Sequence, residues 1–255
     1  MSLDPTRRFS DRVGAYAGHR PGYPAAIVDW ITHEAGLTEG ARVVDLGSGT
    51  GILSAAFLDA GYAVAAVEPN DPMRAEAERT LGWRPAFASV NGRAEETTLP
   101  AASADLAVAG QAFHWFDPAI CRDECLRILR GHAPVALLWN LRLNGSPFME
   151  GYDRLLRTYC PGYKGAPDRH LDPAAIGRFF GGGSLRRREV ANEQRLDFDG
   201  LRGRVLSSSY APLPGAAGHD ALMAELAELF HANAAGEEVV IEYTTVALLG
   251  SLRDG

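Results

Sequence analysis

At 255 residues, with 46% hydrophobic and 22% charged content, the chain has an ordinary globular composition and enough length for one large core. Its 25 basic residues against 32 acidic ones, a formal charge of −7, argue against a broad nucleic-acid surface, because phosphate binding needs clustered Lys and Arg. No apolar run is long enough to span a bilayer and the start MSLDPTRRFSDR lacks a signal-peptide core, so a cytoplasmic protein with no membrane contact is expected.

In chain order, the first forty residues precede any strand and include Phe9, Tyr16, Arg20, Tyr23 and Pro24. Arg20 offers a planar fork suited to a carboxylate, or else pairs on the surface beside a capping turn. The segment RVVDLGSGTGIL, residues 42–53, is the most informative of the chain. Val43, Val44 and Leu46 suit a strand buried on both faces of a parallel sheet. Asp45 falls near its carboxyl end, and Gly47, Gly49 and Gly51 allow a tight turn and a close approach to a ligand before a helix that starts around Thr50. The Gly-Lys-Ser/Thr of a phosphate-gripping loop is absent. The spacing is G-x-G-x-G, not the G-x-G-x-x-G of nicotinamide and flavin loops, and the preceding acid suits a cationic ligand. A nucleoside cofactor carrying an amine or sulfonium is one reading; a tight strand-to-helix turn in another α/β protein is the other.

Tyr62 to Val67 reads as a second buried strand ending in Glu68, about 20 residues beyond the loop, where dinucleotide folds place an acid on the ribose hydroxyls. Asn70-Asp71-Pro72 has the form of a helix start. Ser103 to Ala109 reads as a fourth strand running into Gln111-Ala112-Phe113-His114-Trp115-Phe116, which places polar and aromatic groups at the carboxyl edge of the sheet. His114 is a candidate general base or a structural histidine, and Phe113, Trp115 and Phe116 either line a cavity or pack in the core.

These motifs resemble the class I S-adenosylmethionine-dependent methyltransferases, in the broad small-molecule group of trans-aconitate-type and ubiquinone/menaquinone-type enzymes. The match is strongest from Phe9 to Asn140. The resemblance implies an α/β, Rossmann-like, seven-stranded and mostly parallel sheet of order 3-2-1-4-5-7-6, strand 7 antiparallel, with helices on both faces and a helical cap insertion. It implies S-adenosyl-L-methionine as cofactor and S-adenosyl-L-homocysteine as product. Asp45, Gly47, Ser48, Gly49 and Gly51 would cradle the methionine end, with Tyr16 touching the methionine carboxylate or the substrate. Glu68 and Pro69 would adjoin the ribose, Met73 would pack on the adenine, and Ala94 and Glu95 would line the adenine edge. Many relatives carry an acid where Arg93 stands, so the partner of the adenine amino group is left open. Gln111 would face the cofactor, while Arg20, Tyr23, His114, Trp115, Asn140, Arg142 and Tyr210 would face the substrate.

The remaining chain is read as helices over 118–129, 148–159 and 173–180, a strand over 133–139, a Gly/Pro loop over 161–167, a strand over about 185–196, helices near 198–207 and over 219–234, and a β-branched strand over 238–249. Arg186-Arg187-Arg188 reads as a solvated edge. Cys121 and Cys125 lie one helical turn apart, Cys160 is isolated, and no spacing points to a metal. The expected organisation is one domain over 1–255, with an amino-terminal lid at 1–40, a cofactor core at 41–140, and a helical cap at 141–183 and 198–235. A monomer or homodimer is expected, acting on a small-molecule acceptor through a carboxylate, hydroxyl, amine or carbon, with RNA disfavoured. If the acceptor is a carboxylate, Arg20 or Arg142 would orient it and no base is needed. The competing functions are a nicotinamide-dependent oxidoreductase and a non-catalytic cofactor-binding sensor.

Overall fold

The computed structural model describes residues 19–163, 165, 172–208 and 210–253. Tyr16, residues 1–18 of the expected 1–40 lid and part of the 161–167 loop lie outside them. The elements are α1 (Ala25–Glu34), β1 (Arg42–Leu46), α2 (Ile52–Asp59), β2 (Ala63–Val67), α3 (Asp71–Leu81), β3 (Phe87–Val90), β4 (Leu106–Gly110), α4 (Pro118–Ile128), β5 (Val135–Arg142), α5 (Pro147–Tyr159), α6 (Pro173–Phe180), β6 (Arg186–Leu196), α7 (Phe198–Leu206), α8 (His219–Asn233) and β7 (Val239–Gly250).

The strands form one seven-stranded sheet of order β3-β2-β1-β4-β5-β7-β6, in which β7 runs antiparallel to both β5 and β6. Both fold and strand order agree with the expectation from sequence. Alternation along each strand explains the two layers of core. Val43, Val64, Leu106 and Leu138 pack against Ile27 and Ile31 of α1 and Leu53 and Phe57 of α2. Their neighbours Val44, Leu46, Ala65, Val67, Ala107 and Trp139 face Cys121, Cys125 and Ile128 of α4. Because Asp45 shares the parity of Val43, its carboxylate enters the α2 layer, where Ser54 stands.

Local sequence sets the helix ends. Asn70 caps α3, its Oδ1 accepting the Met73 amide at 3.0 Å, with Pro72 in the first turn; such a cap contributes about 1 kcal/mol. Asp117 and Ser146 cap α4 and α5 in the same way. Helix α2 starts at Ile52, two residues later than expected, because Gly51 takes a left-handed conformation with φ 84° and forms the cap. Strand β5 extends to Arg142, past the expected end at Trp139, since β7 pairs with it over the whole distance from Val135↔Gly250 to Arg142↔Tyr243. The arginine run lies on β6, an edge strand whose amino-terminal half is exposed.

A second apolar cluster joins α5, α7 and α8 to the ends of β6 and β7 through Tyr152, Leu156, Leu201, Leu226 and Ile241. Helix α6 belongs elsewhere. Although it falls inside the 141–183 segment expected to cap the site, its Ile176, Phe179 and Phe180 pack in the α4 layer, with Phe179 5.1 Å from Phe113 between ring centres. The strong apolar face of this short helix carries no information about which layer covers it; tertiary packing decides that. No helix among the described residues is long and apolar enough to cross a membrane.

Candidate active site

The carboxyl ends of β1, β2, β4 and β5 converge on one edge of the sheet. After β1 the chain turns through Gly47, Gly49 and Gly51, all at positive φ. The turn is pinned to β2, since the Gly47 and Ser48 amides donate to the Val67 carbonyl at 2.9 and 3.1 Å. The three glycines answer to different constraints. A Cβ at Gly47 would lie 2.9 Å from Ala112 Cβ and 3.2 Å from the Phe116 ring, and one at Gly51 would lie 2.7 Å from Leu81 Cδ1. At Gly49 the nearest atom among the described residues, its chain neighbours aside, would be Met73 Sδ at 3.8 Å, an ordinary van der Waals distance.

Glu68 closes the cradle. Its Oε2 accepts the Gly49 amide at 2.9 Å and its Oε1 the Asn70 amide at 2.8 Å, while Arg74 Nη1 donates to its carbonyl at 3.0 Å. Burial raises the Glu68 carboxyl above its usual range, against the lowering effect of the two amides and Arg74. Each carboxylate oxygen retains a second lone pair, so a held Glu68 can still accept two hydroxyls. Asp45 is 1% exposed, and its Oδ2 accepts Ser54 Oγ at 2.7 Å. Burial pushes its carboxyl up to about 7, with Ser54 opposing and the nearby Glu68 charge reinforcing. Among the described residues, Asp45 Oδ1, Ser48 Oγ and Thr50 Oγ1 are buried without a hydrogen-bond partner. Buried polar atoms are nearly always satisfied, so this trio around a glycine turn marks it as a candidate binding site.

Residues 44–136 match the family described as Methyltransferase domain. Over this part the chain is similar to a methyltransferase domain. Methyltransferases of Mycobacterium bovis and Mycobacterium tuberculosis, uncharacterized in both, are 37% identical over 139 residues, covering 54% of this chain and 54% of theirs. An uncharacterized methyltransferase of Schizosaccharomyces pombe is 30% identical over 174 residues, covering 66% of this chain and 65% of its own. The chain thus spans about half the length of the first curated relatives it matches. Among solved structures, a protein of Anaeromyxobacter dehalogenans described as a type II methyltransferase shares the fold with a TM-score of 0.68 at 24% identity, covering 92% of this chain and 99% of that one. Phosphoethanolamine N-methyltransferase 2 of Haemonchus contortus, solved with phosphomonomethylethanolamine and S-adenosylhomocysteine, shares it with a TM-score of 0.55 at 16% identity, covering 98% of this chain and 58% of that one.

The other expected site residues are distributed as follows. Pro69 is half-buried beside Glu68, and Met73, 6% exposed, lies next to Gly49. Ala94 is buried in the α4 layer, and Glu95 Oε1 accepts the Asp117 amide at 2.8 Å, tying its loop to the start of α4. Arg93 Nε faces Glu95 Oε2 at 3.6 Å. Gln111 takes φ 56°, uncommon for a side-chain-bearing residue, and its Nε2 donates to the Asn140 carbonyl at 3.1 Å. Phe113 is core, set edge-on to Phe116, Trp139 and Phe179. His114 is exposed and lies against the Trp115 ring, 4.8 Å between centres.

Towards the expected substrate side, the Tyr23 hydroxyl lies so near Gly110 that a Cβ there would come within 2.4 Å of it. Arg20 Nη2 donates to the Ser207 carbonyl at 3.1 Å. Asn140 holds the chain at Gly22, whose carbonyl its Nδ2 reaches at 3.1 Å, while its Oδ1 accepts Thr245 Oγ1 at 2.5 Å and Asn192 Nδ2 at 3.2 Å. Arg142 is buried; its Nη2 donates to the Tyr163 hydroxyl, and Tyr152 and Tyr163 stack within 4.9 and 5.4 Å of its guanidinium carbon. Tyr210 packs against Tyr163 with ring centres 5.1 Å apart.

Sequence reasoning missed Ser54, Asn192, Thr245 and Arg204. The first three are polar residues on half-buried elements and nothing local distinguishes them. Arg204 did carry a signal: with Leu201, Val205 and Ser208 it occupies positions i, i+3, i+4 and i+7 of one helical face, a charge on a stripe that is otherwise buried.

Proposed function

We propose that this chain is an S-adenosylmethionine-dependent methyltransferase acting on a small-molecule acceptor in the cytoplasm. The observation that carries the reading is the Gly49 to Glu68 hydrogen bond, which joins the glycine turn and the ribose-type acid into one cradle ringed by the unpartnered Asp45, Ser48 and Thr50 oxygens. Two buried carboxylates, with the Glu68 charge raising the proton affinity of Asp45, suit a ligand with an amine and a sulfonium. They disfavour the pyrophosphate of a nicotinamide cofactor. Three free, buried cysteines support a reducing compartment.

The residues present fit the cofactor. Asp45 and the turn amides would hold its methionine end, Glu68 its ribose, and Met73 with Ala94 the adenine side. When bound, the cofactor supplies a methyl group on a cationic sulfur, displaced in line by the acceptor atom. The protein's task is alignment and exclusion of water, and that alone can account for much of the barrier lowering. Gln111, fixed by the Asn140 carbonyl, sets the floor at the end of β4, and His114 on the following turn would take a proton from a hydroxyl, amine or carbon acid. Helices α5, α7 and α8 with their separate apolar cluster form the substrate cap.

Calorimetric titration with S-adenosylmethionine, S-adenosylhomocysteine and NADH tests this reading. Saturable binding of the first two and none of the third is expected; silence toward both adenosyl compounds would overturn it. Methyl transfer from labelled donor to a metabolite mixture separates an enzyme from a cofactor-binding sensor, which binds but transfers nothing.

A further inference from the structure

Beneath the cap, two buried guanidinium groups share a neighbourhood whose charge is not balanced. Arg142 is 7% exposed and Arg204 6%. Asp153 Oδ1 stands 3.6 Å from Arg142, but the same carboxylate is engaged by Arg157 at 2.6 Å. Among the described residues Arg204 has no carboxylate within ion-pair distance; its Nε reaches the Tyr243 hydroxyl and its Nη1 the Ser208 hydroxyl, each at 3.3 Å. Tyr152 lies between them in effect: the Arg142 guanidinium carbon stands 4.9 Å from its ring centre, and the charges of both Arg204 and Arg142 act on its hydroxyl. The tyrosines do not supply the missing charge. Burial pushes the Tyr152 hydroxyl up to about 12 although Arg204 and Arg142 pull it down, and burial raises Tyr163 as well, so both are neutral phenols near pH 7.

A buried charge without a counter-ion is costly unless something else supplies the opposite charge. Donor capacity remains as well, because Arg142 Nε is buried with no hydrogen-bond partner among the described residues. The place is next to the cofactor cradle: Gln111 grips the Asn140 carbonyl, and Arg142 follows Asn140 by two residues on the same strand. From the other side, Arg20 is anchored on the carbonyl of Ser207, the residue before the Ser208 hydroxyl that Arg204 contacts.

We propose that Arg142 and Arg204 form an anion subsite that holds a carboxylate of the methyl acceptor. This rests on the methyltransferase reading and names its substrate class. Guanidinium forks match the planar carboxylate in a way a lysine ammonium does not. A carboxylate clamped between two cations is a weakened nucleophile, so the clamp is a handle and the methyl-accepting atom lies elsewhere on the same molecule. The acceptor is accordingly a small acid with a second nucleophilic group.

The test titrates the full chain, saturated with S-adenosylhomocysteine, with benzoate, succinate and inorganic phosphate, and with benzamide and succinamide as uncharged counterparts. At least one carboxylate should bind tenfold or more tightly than its amide. Arg204→Gln and Arg142→Gln should each abolish that preference while S-adenosylhomocysteine binds as before, and Arg204→Lys, which keeps the charge without the fork, should retain part of it. A merely structural arginine would not change the carboxylate-to-amide ratio. Equal binding of acids and amides by the unaltered chain, a preference that survives in the variants, or a response confined to phosphate would overturn the proposal. Failure of S-adenosylhomocysteine itself to bind would instead overturn the methyltransferase reading, so the two failures are distinguishable.

Discussion

The Glu68 carboxylate accepts the Gly49 amide at 2.9 Å, so the acid at the end of β2 and the middle glycine of the turn after β1 are a single mechanical unit. Glu68→Gln replaces one acceptor oxygen by an amide that donates, and either the Gly49 or the Asn70 amide then meets a donor. A loss of about 1–3 kcal/mol in urea unfolding is expected, together with at least a tenfold loss of S-adenosylhomocysteine affinity by calorimetry. Unchanged affinity would show that Glu68 only braces the turn.

Gly49 and Gly51 separate ligand space from packing space. A Gly49→Ala methyl meets no protein atom closer than 3.8 Å, so the variant should lose only the about 1–2 kcal/mol of left-handed strain while its thermal shift with S-adenosylhomocysteine disappears. Gly51→Ala drives its methyl to 2.7 Å from Leu81 and should lower the melting temperature of the ligand-free protein more severely. Melting both variants with and without ligand checks the contrast.

Asp45 links binding to pH. Its carboxyl is raised from 3.8 to about 7 by burial, so the folded state holds a proton that the unfolded state has already released between those values. Stability contributed by Asp45 therefore falls as pH rises from about 4 to 7 and is level above, with an upper bound of about 4 kcal/mol. Ligand binding should run the other way, because a cation is held by the ionised form: S-adenosylmethionine affinity should rise about tenfold from pH 6 to pH 8. Asp45→Asn should flatten both profiles in denaturation and calorimetric series.

His114 is exposed and lies against the Trp115 ring. His114→Ala should keep the unaltered melting temperature and S-adenosylhomocysteine affinity while kcat falls about 10²- to 10⁴-fold and the acidic limb of the pH–rate profile is lost. Unchanged turnover would leave alignment as the sole catalytic device.

What the sequence by itself determined is local and periodic. The buried strand, the three glycines and the acid that follows the second strand are decided by conformational freedom and burial within a few residues, so the cofactor cradle is legible in the chain itself, and the strand order follows from the family resemblance those motifs carry. The helix start at Asn70 is legible for the same reason, since a cap is a contact between residues two or three apart. Tertiary structure alone decided the contacts between distant segments. The Ser54 hydroxyl on Asp45, the packing of α6 into the sheet's core and not into the cap, and the tie from Asn140 to Gly22, Asn192 and Thr245 each join residues whose own surroundings in sequence look ordinary. The same holds for the acceptor side. Arg142 and Arg204 sit on a strand and a helix far apart in the chain, and only the fold brings both guanidinium groups to Tyr152.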